Sequence, residues 1–199
     1  MENDNIRKDG NDMLGKYRLF SAYATEYGTF LGLAWVLVFV LYISSFRTMH
    51  PLLMLLSCLL FVSLPLFGFY LARRFKQQMP EDVPIGYGRA YWFSLSMMLY
   101  ACLLTGVAEL VYFKYLDHGA VFNAFYDLLN TSGTEQTYKQ MGMKEAWASL
   151  KESLDMVSSL SAVDLCLSLF NQNFLFSLIL AVPTAFFAKR APSSSPKGE

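Results

Sequence analysis

Four runs of this sequence, 27–46, 51–72, 90–113 and 165–188, are each 20 to 24 residues long, and together they hold one charged side chain, Glu109. Twenty residues of helix rise about 30 Å, the thickness of a bilayer's hydrocarbon core. Backbone that crosses lipid must satisfy its own hydrogen bonds, which a single segment can do only as a helix. The expected fold is therefore all-α: an integral membrane bundle of four transmembrane helices, with an amphipathic helical segment between helices 3 and 4.

The charge shortfall follows the same pattern. Charged residues make up 16% of the chain, against about 25% in an ordinary soluble domain, and they sit in blocks between the apolar runs. Formal net charge is zero, so the basic footprint of a nucleic-acid-binding protein is missing and no nucleic-acid partner is expected. Cys58, Cys102 and Cys166 are far apart in apolar runs. An odd count without C-x-x-C spacing reads as small buried hydrophobes, not as a disulfide framework or a zinc site.

Residues 1–24 read as a loosely ordered cytoplasmic tail, 25–188 as the transmembrane domain, and 189–199, rich in Ser and Pro, as a disordered cytoplasmic tail. The first apolar run is too long for a signal-peptide core and no A-x-A-like site closes it, so the tail is expected to stay attached. Between spans one and two lie only Arg47, Thr48, Met49 and His50, which forces an antiparallel hairpin. Pro51 suits a first helical turn, whereas Pro65 and Pro183 fall inside spans.

Gly28 and Gly32 stand four apart in span one. Small residues at that spacing let helix backbones approach in lipid, either within the chain or at a homodimer seam. The long polar segment 114–164 carries two helical faces. Val121, Phe122, Phe125, Leu128 and Leu129 form the first. Thr131 to Thr134 break it, and Met143, Trp147, Leu150, Leu154 and Val157 then recur at alternating spacings of four and three. Such a stripe needs a surface to cover: its own bundle, the lipid interface, or a partner protein.

Lysine and arginine accumulate in cytoplasmic loops. The side holding both termini and the 73–89 loop has eleven of them; the side holding 47–50 and 114–164 has five. Both termini are therefore expected in the cytoplasm and 114–164 outside, in a bacterial cytoplasmic (inner) membrane.

Chemistry-bearing residues are few. Glu109 is the ionisable group inside a span, and intramembrane carboxylates mark either a paired structural residue or an ion- or proton-coupling site. Asn171, Gln172 and Asn173 are unusual in lipid, and read as hydrogen-bonding between helices or lining a polar path. His50, Glu109, Asp117, His118 and Asp164 fall near one boundary, but no pair has ligand spacing on one helix, so no metal is expected. There is no G-x-S-x-G, H-E-x-x-H or phosphate-loop motif. No catalytic residue, cofactor or enzymatic activity is expected.

The lead-in Ile85-Gly86-Tyr87-Gly88-Arg89-Ala90 and the exit Val111-Tyr112-Phe113-Lys114-Tyr115-Leu116-Asp117 resemble an uncharacterised bacterial membrane family, domain of unknown function 4199. The resemblance implies a small four-span protein of the kind typical of Bacteroidota. It implies no activity and no catalytic residues. The function expected is a non-enzymatic interaction or accessory component, its contacts being the lipid bilayer and a protein partner or second copy. The alternatives are a small oligomeric transporter or channel using Glu109, and, less favoured, a membrane-embedded enzyme.

Overall fold

The computed structural model describes residues 2–80, 84–130 and 133–190, with side chains from Arg18 onward. Seven helices run through the described residues: α1 Glu2–Thr48, α2 Pro51–Gln78, α3 Tyr87–Tyr115, α4 Ala120–Asn130, α5 Thr134–Gln140, α6 Lys144–Ser158 and α7 Ala162–Ala188. Four of them, α2, α3, α7 and the Arg18–Thr48 part of α1, are long and apolar enough to cross a membrane. The chain is an all-helical, multi-pass membrane protein. α1 and α3 bury more of their apolar surface than α2 and α7 do.

The ends differ from expectation in two places. The lead into span one, expected to be loosely ordered, is helical from Glu2. No proline interrupts it, and acidic residues open it where the helix dipole favours them. At the other end of α2, Arg73, Arg74 and Lys76 ride on the last helical turns rather than in a loop. The expected chain break at Thr131 and Ser132, the Glu81–Asp82 part of the loop and the 191–199 tail lie outside the described residues.

The described residues form two compact units, and each long helix contributes to both. The first unit draws on Met1–Trp35, Val62–Leu104 and Asn173–Glu199. Its centre is a ring cluster. Phe75 is fully buried and stacks on Phe93 at 3.7 Å, with Phe20 and Tyr23 edge-on to Phe75. Tyr27 is edge-on to Phe93, and its hydroxyl donates to Gln78 Oε1. Beside the rings, α1 meets α3 closely. A Cβ on Gly28 would stand 2.6 Å from Tyr100 Cβ and 2.7 Å from the Met97 carbonyl oxygen, and one on Gly32 3.0 Å from Ala101 Cα. These glycines are the seam between two helices of one chain, so the homodimer reading of the pair falls.

Arg190 closes this unit. Its backbone N–H donates to the Ile85 carbonyl at 2.9 Å. Its guanidinium donates to the carbonyls of Lys76, Met79 (3.1 Å) and Pro80 (2.8 Å). The last carbonyls of a helix have no intrahelical donor, and a guanidinium near a helix C-terminus also favours the dipole. The end of α7 thus caps the end of α2.

The second unit draws on Val36–Phe61 and Thr105–Gln172. Phe39 packs edge-on against Tyr112 and Phe113. Phe46 meets Phe125 at 4.4 Å, which pins α4 to the end of α1. The three short helices α4, α5 and α6 fold on one another. Between α5 and α6 the chain turns at Gly142, whose φ of +72° is left-handed backbone that glycine adopts without a steric cost. The Glu135–Lys139 ion pair, four apart at 2.8 Å, supports α5, a short helix with no apolar stripe to announce it.

Candidate functional site

α3 buries one face along its length. Ser94, Met97, Met98, Ala101, Cys102, Thr105 and Glu109 recur at steps of three and four and are all buried, the spacing of one helical stripe. Glu109 ends that stripe in the second unit, only 5% exposed. It is engaged within the chain, and Cys166 of α7, itself buried, lies close enough to feel its charge. One turn earlier on α3, Gly106 faces the Phe170 ring of α7, where an added Cβ would approach to 3.1 Å. Glu109 is therefore a carboxylate enclosed by helices, not one reaching out to lipid headgroups.

At the exit of α3, Tyr112 donates its hydroxyl to Asp117 Oδ1 at 2.9 Å, and the same oxygen accepts the Val121 N–H at 3.1 Å. Asp117, 3% exposed, therefore satisfies a first-turn donor of α4 and ties it to α3. The loop reaches this geometry through His118 and Gly119, both at positive φ.

Of the four polar residues expected at an intramembrane site, Asn171 and Gln172 are exposed on α7, whereas Glu109 and Asn173 are each engaged within the chain. Asn173 is half-buried in the first unit, where its carbonyl accepts the Ser177 hydroxyl at 2.8 Å. The sequence places these residues within spans but says nothing of rotation about the helix axis.

The stripe on α6 is divided as well. Trp147 is buried, 6% exposed, with its ring 5.1 Å from Tyr138 of α5 and Lys151 Nζ 5.4 Å from its centroid. Leu154 is half-buried, and Met143, Leu150 and Val157 are exposed. Tyr126 of α4 donates to Asp155 Oδ1 at 2.6 Å and meets Ser158 Oγ at 3.0 Å. Trp147 thus faces α5, Leu154 is partly covered, and Met143, Leu150 and Val157, seven apart, face away.

Two polar features were missed in the sequence reading. The S-x-x-D pattern of Ser161 and Asp164 is a capping box. Ser161 Oγ accepts the Asp164 N–H at 3.2 Å and donates to Asp164 Oδ2 at 2.6 Å, starting α7 three residues before the apolar run. That signal was readable. The Arg190 cap on α2 was not, because nothing local links residues more than a hundred positions apart.

A family model described as protein of unknown function (DUF4199) matches residues 26–190. No curated protein and no solved structure matches the chain.

Proposed function

The chain belongs to the DUF4199 family, a family of unknown function, and from that premise we propose that it is a non-enzymatic interaction component of a bacterial inner membrane, which offers a folded three-helix platform to a protein partner. The observation that carries this reading is the division of the α6 stripe. Trp147 packs α6 against α5, while Met143, Leu150 and Val157, with Met141 and Met156 nearby, are left exposed on the platform. Exposed methionine and leucine on a preformed surface suit adaptable protein contacts. The excess of lysine and arginine on the side of both termini, eleven against five, supports cytoplasmic termini and a platform outside.

The test is co-purification from membranes. Met143→Glu with Leu150→Glu is expected to abolish recovery of the partner while the protein still accumulates and folds, because both side chains are exposed. Unchanged recovery of the same partner would refute the reading.

A second reading, a small oligomeric transporter or channel, is favoured by one observation, the enclosure of Glu109 within the helices. Asn171 and Gln172 do not extend that site. Under this reading Glu109→Gln abolishes a cellular phenotype and leaves partner recovery intact; under the first it leaves both intact.

A further inference from the structure

A membrane helix that turns amides toward lipid is incomplete by itself. Asn171 and Gln172 are both exposed on α7, and so are Ser168 and Asp164 on the turns before them. At 3.6 residues per turn, Asp164, Ser168 and Gln172 stand one above another, and Asn171 sits beside them. The stripe is polar along the part of α7 that enters the membrane. Gln172 lies seven residues past the start of the charge-free run at Leu165, about 10 Å along the axis, deeper than its own side chain extends. Neither amide has a hydrogen-bond partner among the described residues. Hydrocarbon offers none, and an unsatisfied amide there is strongly unfavourable.

We propose that this face of α7 is the seam of a homodimer, in which Asn171 and Gln172 hydrogen-bond to the same residues of a second copy across a two-fold axis along the membrane normal. The chemistry selects a second copy. A carboxamide carries both donors and an acceptor, so it is complementary to itself. Two copies inserted the same way round hold identical residues at identical depth, as a symmetric interface requires. Ser168 keeps the seam narrow one turn above, where a small side chain lets backbones approach. Asp164 does not oppose the seam within hydrocarbon. It sits in the first turn of α7, where Ser161 donates to it at 2.6 Å. The other helix-packing pair, Gly28 and Gly32, is occupied by α3 of the same chain.

The test uses the full-length protein in native membranes. In a Cys58→Ala background, which removes the exposed native thiol, Ser168→Cys is expected to give a disulfide-linked homodimer under mild oxidation. Leu59→Cys, exposed on α2, is expected to give none. Asn171→Leu with Gln172→Leu is expected to weaken dimerisation in vesicles by about tenfold to a hundredfold, the range of a few interhelical hydrogen bonds in lipid. Because both side chains face outward, that double variant retains wild-type helicity and thermal stability. A monomeric wild type, a dimer indifferent to the double leucine change, or Ser168→Cys crosslinking only to a different protein would each overturn the proposal.

Discussion

Tyr112 and Asp117, five residues apart, are joined by a 2.9 Å hydrogen bond across the end of α3, and the aspartate passes the connection on to the backbone of α4. This pair decides where the last membrane turn of α3 stops and how the external helices begin. Asp117→Ala removes the α4 cap and orphans a tyrosine hydroxyl, with an expected cost of about 1–2 kcal/mol. Tyr112→Phe removes one bond only, and about 0.5–1.5 kcal/mol is expected. Thermal unfolding in detergent measures both. An Asp117→Ala variant as stable as wild type would mean the cap contributes nothing.

The glycine seam predicts an order of sensitivity. Gly28→Ala puts a methyl against Tyr100 Cβ and the Met97 carbonyl, neither of which can swing aside. Overpacking of this kind costs about 1–3 kcal/mol. Gly106→Ala meets the edge of the Phe170 ring at 3.1 Å, which can tilt, so a smaller loss is expected. Unfolding midpoints in the order wild type, Gly106→Ala, Gly28→Ala check the prediction; Gly28→Ala at wild-type stability would contradict it.

Trp147→Ala removes the largest shared ring of the external helices. Burial of a tryptophan is worth about 3–5 kcal/mol, so α4, α5 and α6 are expected to open while the four spans stay helical. Hydrogen exchange across residues 120–158 should rise sharply. Leu150→Ala, on the exposed side, should leave exchange unchanged.

Tyr126 donates to the Asp155 carboxylate, and that bond raises its pKa above the ordinary 10.0. With the folded value above the unfolded one, the bond's contribution is complete below pH 10.0 and is lost as pH rises through the folded pKa. Phenolate absorbance should therefore show Tyr126 titrating later than the exposed tyrosines, and Tyr126→Phe should reduce the late component by one residue. Loss of an ordinary component instead would show that the bond does not form in solution.

The four spans were legible because charge-free length is a direct consequence of bilayer thickness. The face of α6 was legible in part: its period identified the stripe, but the period cannot separate Trp147, which turns to α5, from Leu150 and Val157, which turn away. Rotation was unreadable for α7. Lipid and protein interior are both apolar, so a helix that is hydrophobic all round has no periodicity to tell its faces apart. The sequence reading of Asn171 and Gln172, between helices or along a polar path, leaves their direction open; both are exposed on α7. The Gly28 spacing announced a close approach without naming α3 as the neighbour. Arg190 gave no signal, since its three acceptors are carbonyls, which every residue carries.

The most direct measurement is in-cell photo-crosslinking from position 150, with position 147 as the internal reference. The account predicts that 150 captures one foreign protein and that 147 crosslinks only within the chain. Crosslinks from 150 confined to the chain itself would contradict the interaction role and leave Glu109 as the residue to pursue.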